Sequence, residues 1–474
     1  METGIRNISS KAEYIFLILF FSYAFLHNNS FTYGHKVISY VMWMTFLLGG
    51  LLVLIRLIQY KHYYKMPGLL FLLFMLVSMG ISILANFRYA LKDNIVYAIY
   101  WVFFFALLYM QRSDLTLGEY KKKFRLVTLF FVAYMTVGVL ASYVLMLIGY
   151  NGVFKNPETR FEYRIGFSIG RLWGIFLNPN GAAFAAATAA VLLLYFMTRA
   201  QKIAIRILCG IDVFSMLLYI ALSDSRSGAI CFGVMVATFA FVLLWYQNRE
   251  KKWVFKGVSV LVAAALLIAG FYAPRLLKDA YNQVILLTAT SEPKETGEPA
   301  SELDSEFLVE RGYDLNADIS NRRFDIWKSA VEIYKSSPKT ILVGTSFRGI
   351  VPYAKEHLPN TYIINNDHAI FQTMENEFFN VLAAQGTLGV LALAAVVIYF
   401  AVYILKRILR LQEAYRTLAA ILFAVVLGLG ACCMLSAVVF YHFSQSTLMF
   451  WFSLGGLIFV LQQGKEQKDD GAAH

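Results

Sequence analysis

Two arginines stand beside the mouths of apolar runs, where arginine is unusual. Arg226 lies in Ser-Asp-Ser-Arg-Ser-Gly at 223–228, and Arg171 in Gly-Arg-Leu-Trp-Gly-Ile-Phe-Leu-Asn-Pro-Asn at 170–180. A guanidinium close to hydrocarbon is expensive and usually pairs with something. Its planar fork matches the oxygens of a phosphate. A second basic pair, Arg322 and Arg323, falls where a helical pattern begins, and there the helix dipole disfavours positive charge. Either these are two exposed arginines in a tolerated place, or something anionic binds nearby. If Arg171, Arg226 and Arg323 converge, they form a pocket for a diphosphate. Asn178 and Asn180 flank Pro179 at the start of the next run. They either cap that helix or hydrogen-bond a sugar.

Residues this far apart need a scaffold, and composition says which kind. The 474 residues are 59% hydrophobic and 15% charged, with a mean hydropathy of +0.58. Soluble domains average about 45–50% apolar and about 25% charged. A soluble core cannot absorb so much apolar surface; lipid can. A spanning helix needs about 20 mostly apolar residues. Runs of that kind lie near 13–27, 37–58, 67–85, 94–110, 124–149, 179–198, 203–222, 227–246, 254–273, 377–405, 415–438 and 443–462. The expected fold is an all-α polytopic membrane protein of about twelve transmembrane helices. Nine precede a large extracytoplasmic loop at 274–376, and three follow it in 377–474, with a cytoplasmic tail. The first run continues into the membrane pattern without a cleavage site, so no cleavable signal is expected.

Basic residues favour cytoplasmic loops. Alternate connections hold Arg56, Lys61 and Lys65; Arg112, Lys121, Lys122, Lys123 and Arg125; Arg199, Lys202 and Arg206; Arg249, Lys251, Lys252 and Lys256; and Lys406, Arg407, Arg410 and Arg416. The intervening short loops carry only Lys36, Arg88 and Lys92. Both termini are therefore expected on the cytoplasmic side. The net charge of +12 then reports topology and contact with anionic headgroups, not nucleic-acid binding. Cys209, Cys231, Cys432 and Cys433 fall inside the runs and suggest neither disulfides nor a metal site.

Two outer segments depart from the pattern. The connection 150–178 carries Lys155, Arg160, Arg164 and Arg171 on the side where cations should be scarce. In the long loop, residues 291–318 are acidic and poor in large apolar side chains, which predicts a solvated, mobile insert. From 320 to 336 the pattern turns amphipathic. Asn321 can cap a helix in which Phe324, Trp327, Val331 and Tyr334 recur at helical spacing, and Pro338 closes it. Such a helix lies against the membrane or the helical bundle.

These segments resemble the O-antigen ligase and Wzy-type polysaccharide polymerase superfamily. The string Gly170 to Asn180 is similar to the family's Arg…Gly…Asn-Pro-Asn segment, and Ser225-Arg226-Ser227-Gly228 to its Ser-Arg-Gly helix start. Arg323 to Trp327, then Pro338 and Gly344, resembles its Arg-x-x-x-Trp…Pro…Gly helix. Glu375-Asn376, then Gly386-Thr387-Leu388-Gly389, resembles the closing motif at the span after the large loop. The motifs cover about 170–400.

The resemblance implies a GT-C-like bundle in a bacterial cytoplasmic membrane. It also implies a metal-independent glycosyltransferase without cofactor, acting on an undecaprenyl-diphosphate-linked oligosaccharide and a glycan acceptor. Other polysaccharide-export machinery is a candidate partner. An acceptor hydroxyl attacks the anomeric carbon and the lipid diphosphate leaves. Arginines suit the departing diphosphate, and a carboxylate or imidazole suits the hydroxyl proton. Glu375 is the expected base, with Asn376 orienting it or a sugar; His368, seven residues earlier, is the other candidate. Lipopolysaccharide ligases typically have His-Asn where this chain has Glu375-Asn376, so polymerisation is favoured over ligation.

A flippase of lipid-linked oligosaccharide would share the many spans. Transporters, however, usually carry internal repeats, and none is visible. Asp212 stands nearly alone as a mid-span charge. An assembly scaffold would leave the outer arginines unexplained.

Overall fold

The computed structural model describes residues 2–60, 65–156, 159–248, 251, 253–291, 307–309, 322–366 and 369–465. The helices, in chain order, are α1 (Glu2–His27), α2 (Lys36–Ile58), α3 (Leu69–Ala85), α4 (Leu91–Phe103, continued as a π-helical turn Phe104–Tyr109), α5 (Leu117–Leu147), α6 (Pro179–Arg199), α7 (Ile203–Leu222), α8 (Arg226–Gln247), α9 (Trp253–Ser291), α10 (Arg323–Lys335), α11 (Pro338–Val343), α12 (Ile350–His357), α13 (Glu377–Leu405), α14 (Glu413–Cys432) and α15 (Gln445–Gln463). Among the described residues, ten helices are long and apolar enough to cross a membrane. The two remaining apolar runs fall on α1 and on α3, which is 17 residues long. Large apolar side chains face outward along whole helix lengths, among them Leu47 and Ile58 on α2, Leu208 and Ile211 on α7, and Leu261 on α9. In water such faces would be an aggregation liability; against lipid they are the stable choice. The protein is thus an all-α polytopic membrane protein with little sheet.

Three features depart from the sequence reading. The helix from Trp253 does not stop at 273 but continues through Pro274 to Ser291. The connection 150–178 folds into a three-stranded antiparallel sheet of β1 (Asn151–Lys155), β2 (Glu162–Phe167) and β3 (Leu172–Gly174). And α10 buries Ile326, Ala330 and Ile333, not Phe324, which is 65% exposed. The stripe of Trp327 and Tyr334 flanks that face and grips α13: Trp327 stacks on Phe379 at 5.2 Å, and Tyr334 Oη meets Thr387 Oγ1 at 3.0 Å. The packing partner is therefore the bundle. Asn321, the expected cap, lies outside the described residues, as does most of the acidic stretch 291–318. The residue before α10 is Arg322, with φ 60° and no side-chain cap.

The helix break in α13 decides where the 337–349 segment sits. Gly386 has φ 61° and ψ −154°, so the helix is interrupted inside the apolar run. Freed carbonyls inside a membrane must find donors. Here Ala383 O accepts from Thr345 N at 3.0 Å, and Ala384 O accepts from Ser346 N at 2.9 Å and Ser82 Oγ at 2.6 Å. The chain passes so close that a Cβ on Gly344 would lie 2.3 Å from the Ala384 carbonyl carbon. Asn86 Nδ2 donates to Gly344 O at 3.0 Å and completes the seal. The segment after α11 is thus inserted into the bundle and fixes α10 and α12 relative to α13.

Candidate active site at one end of the bundle

Four helices begin at one end, each with a polar cap. Asn178 accepts from Asn180 N and Gly181 N at the start of α6, and Ser225 from Gly228 N at the start of α8. Asn376 accepts from Phe378 N and Phe379 N at the start of α13, and Ser444 from Thr447 N at the start of α15. Contacts join these starts. Leu177 N donates to Asn28 O and Asn28 Nδ2 to Phe443 O, both at 3.0 Å; Glu377 N donates to Cys433 O at 2.8 Å. Cys432 Sγ lies 3.8 Å from Ser227 O. Helix N-termini carry partial positive charge and attract anions.

The first group of side chains forms around α8. Arg171 donates from Nε to Ser223 O at 3.0 Å and from Nη2 to Asn180 Oδ1 at 3.1 Å, with its guanidinium 5.5 Å above the Trp173 ring. This brings Arg171 and Asn180 to the turn that precedes Arg226. Arg226 itself is half-buried and makes no hydrogen bond or ion pair among the described residues. It lines a cavity of about 280 Å³ together with Asp224, Pro274, Arg275, Lys278 and Asp279. Lys278 Nζ meets Asp224 Oδ1 at 3.1 Å, and Arg275 covers the Phe271 ring at 4.3 Å. Three cations face two carboxylates, so the lining is net positive. Arg275 and Lys278 escaped the sequence reading because it ended the span at 273. Their i, i+3 spacing beyond Pro274 is the signal, once the helix is known to continue.

The second group forms at the start of α13. Glu375 is half-buried and has φ 48°, a left-handed conformation costly for a non-glycine residue. Its carboxylate accepts from Thr373 Oγ1 at 3.0 Å. Asn376 is buried; its Oδ1 caps α13 and its Nδ2 donates to Met434 O at 2.9 Å. Its polar atoms are thus occupied within the fold, where they fix the backbone next to Glu375. Sequence reasoning missed Glu377. This carboxylate is 4% exposed and accepts from the backbone N–H groups of Val438, Phe440 and Tyr441 at 2.8–2.9 Å, and of Val439 at 3.5 Å. It clamps the 433–444 connection onto the site.

Arg322 donates to Tyr362 Oη at 3.3 Å, and Tyr362 stacks on Phe371. Arg322 and Arg323, at the tip of α10, therefore sit on the 361–379 side with Glu375. The sheet reaches the same segment: Arg160 Nη2 donates to Ile364 O at 3.3 Å, and Ile370 N donates to Thr159 O at 2.8 Å. His368 lies outside the described residues. The structure thus gathers Arg171, Asn180 and Arg226 in one group and Arg322, Arg323, Glu375 and Asn376 in another. The Ser227–Cys432–Cys433–Glu377 contacts link the two. Asp212, the mid-span acid, accepts from Thr136 Oγ1 at 2.7 Å and faces neither group.

Residues 211–394 match the family described as O-antigen ligase. The matched stretch includes Arg226, Arg275, Lys278, Arg322, Arg323 and Glu375, and leaves Arg171 and Asn180 outside it. No curated protein matches the chain.

Proposed function

We propose, from the match of residues 211–394 to the family described as O-antigen ligase, that the arginine-rich end of this chain transfers glycan at the outer face of a bacterial cytoplasmic membrane. The donor is an oligosaccharide on undecaprenyl diphosphate and the acceptor is a second glycan. The product is a polymer of capsule, exopolysaccharide or O-antigen repeat units, and both termini face the cytoplasm.

The cation-lined cavity at the start of α8 carries this reading. Its Arg226 has no partner among the described residues, so its fork is free for a diphosphate. In the transfer, an acceptor hydroxyl attacks the anomeric carbon and a new C–O bond forms. The bond from that carbon to the diphosphate oxygen breaks, and its electron pair leaves with the lipid diphosphate. Arg226, with Arg171, Arg275 and Lys278 around it, stabilises the charge that develops there. Arg322 and Arg323 hold the glycan side of the donor, and Asn180 contributes through Arg171. The hydroxyl proton passes to Glu375, or to His368 if that imidazole is nearer the acceptor. A positioned base contributes about 10²–10⁴-fold. No metal or cofactor takes part in this reading.

The test is purified protein in vesicles, supplied with lipid-diphosphate-linked oligosaccharide alone, wild type beside Glu375→Gln. A product ladder from wild type that disappears in the variant supports a polymerase with Glu375 as base. A single larger product, formed only when a different acceptor is added, means a ligase. No turnover with any acceptor, together with lipid moving between leaflets, overturns the transferase reading.

A further inference from the structure

A second group of partly exposed polar and aromatic side chains gathers at the same end, on the side of α1 and α4, away from the Arg226 cavity. Its central charge is Arg348, two residues beyond Ser346, whose amide bonds the Ala384 carbonyl at the break in α13. Arg348 Nη2 donates to Tyr97 Oη at 3.0 Å, and its guanidinium lies 4.7 Å from the Tyr97 ring centroid and 5.4 Å from that of Phe347. No carboxylate lies within ion-pair distance of Arg348 among the described residues. Asn94 Oδ1 accepts from Arg348 N at 2.9 Å and holds its backbone. Around it stand aromatic faces that are only partly covered. Tyr33 packs on Tyr163 of β2 at 5.1 Å and on Phe154 of β1 at 6.3 Å. His27 packs on Tyr33 at 6.4 Å and on Phe443 at 5.7 Å. His442 adjoins them; burial, then the neighbouring His27 and Arg348, push its imidazole down to about 4.

We propose that this group of partly exposed side chains, Arg348, Tyr97, Tyr33, Tyr163, His27 and His442, binds the acceptor glycan through an acidic sugar. The inference rests on the transferase reading for the word acceptor, and on geometry for the rest. A pyranose offers C–H faces that stack on aromatic rings and hydroxyls that bond imidazole and phenol. A cation left half-buried without a counter-charge is costly, and a bidentate carboxylate is the ligand that a guanidinium fork fits best. The placement assigns the role. Cys432, where α14 meets the 433–444 connection, touches Ser227 beside Arg226, while His442 at the other end adjoins His27 and Arg348. Glu377 clamps the middle of the connection through the amides of Val438 to Tyr441. Glu375, two residues before that clamp, is thereby tied through one connection to both groups.

The test reads binding, not turnover. The detergent-solubilised full chain is titrated by native mass spectrometry with a disaccharide acid, cellobiouronic acid, and with its neutral analogue, cellobiose. A charge-assisted bidentate contact predicts that the acid binds about tenfold or more tightly than the neutral sugar. Arg348→Gln should erase that difference. Tyr97→Phe, which removes only the hydroxyl that anchors the guanidinium, should reduce it. Arg226→Ala should leave it in place. Equal binding of the two sugars by wild type, or discrimination that persists in Arg348→Gln, overturns the proposal. So does displacement of the acid by equimolar inorganic phosphate, which would make the group around Arg348 a phosphate site. Failure of transfer in vesicles with this discrimination intact would defeat the enzyme reading and leave the acidic-sugar site standing; the converse result would do the opposite.

Discussion

Glu13 sits between Arg56 and Lys123 at the end of the bundle opposite the candidate site. Arg56 Nη2 is 2.9 Å from Glu13 Oε1, and the Lys123 ammonium touches the same oxygen. Lys123 also donates to Gln111 Oε1 at 2.8 Å, and Arg56 to the carbonyls of Ala106 and, at 2.8 Å, Met110. Nearby, Arg112 grips Asp114 with two parallel bonds of 3.0 and 2.7 Å. At the other end, Arg226 has no such partner among the described residues, and Arg348 has one phenol and two aromatic faces. Both ends hold cations near hydrocarbon, where charge is expensive. At one end each of these cations meets a carboxylate of the protein. At the other, Arg171, Lys278 and Arg322 have protein partners, while Arg226 and Arg348 meet no carboxylate among the described residues. On the proposed reading, it is those two that a ligand would complete.

The largest effect should come from breaking the matched end. Glu13→Ala removes the carboxylate that both Arg56 and Lys123 face, and removing one partner of a buried ion pair costs about 3–5 kcal/mol. The melting temperature of the solubilised protein should fall steeply, and any loss of transfer should follow the loss of fold. Melting like wild type would mean that the cluster is open to water and that the contrast between the two ends is misdrawn.

The unmatched end should respond in the opposite way. Arg226→Ala removes a cation with no partner in the fold, so melting should stay near wild type. Transfer should drop about 10²–10³-fold, the cost of losing one preorganised donor to a developing charge. Arg226→Lys should recover little, because a point charge replaces a fork. Normal polymer yield in Arg226→Ala would remove the diphosphate assignment, whereas a collapse in melting temperature would move Arg226 into the structural class with Arg56.

Asn376→Ala sharpens the boundary between the two kinds of residue. Loss of the α13 cap should cost about 0.5–2 kcal/mol, seen as lower thermal stability. Asn376→Asp keeps the acceptor for Phe378 N and Phe379 N and should recover most of that loss. Wild-type stability in the alanine variant, with transfer abolished, would instead return Asn376 to the sugar.

The sequence showed the membrane fold plainly, because lipid imposes a composition and a run length that no soluble core shares. It also placed Arg226 at a helix start and Arg171 in the segment leading into one, since Pro179, Asn178 and Ser225 are local signals, but not the short strand that Arg171 directly precedes. What it hid depends on distant contacts. Glu377 became the clamp only because the 438–441 amides, some sixty residues on, fold back onto it. The break at Gly386 is held by Thr345 and Ser346, which no local pattern could announce. Arg348 reads as one loop arginine among many until Tyr97 and Phe347 are beside it. Arg275 and Lys278 were lost for a simpler reason: their charge ended the apolar run, yet the helix continued.

Glu375→Gly is the smallest effect and separates strain from chemistry. Glu375, Asp224 and Arg322 all have positive φ, at 48°, 46° and 60°, and each directly precedes the cap or first turn of a helix that points into the site. A side chain in that conformation costs about 1–2 kcal/mol. Glycine adopts it freely but loses more entropy on folding, so the net gain in stability should be about 1 kcal/mol or less. Glu375→Gly should therefore melt slightly above wild type while its transfer falls as far as in Glu375→Gln. A strained carboxylate that improves the fold when removed and disables transfer is one retained for the reaction. If Glu375→Gly instead melts lower, the carboxylate holds the 373–376 turn through its bond to Thr373, and the base must be sought at His368.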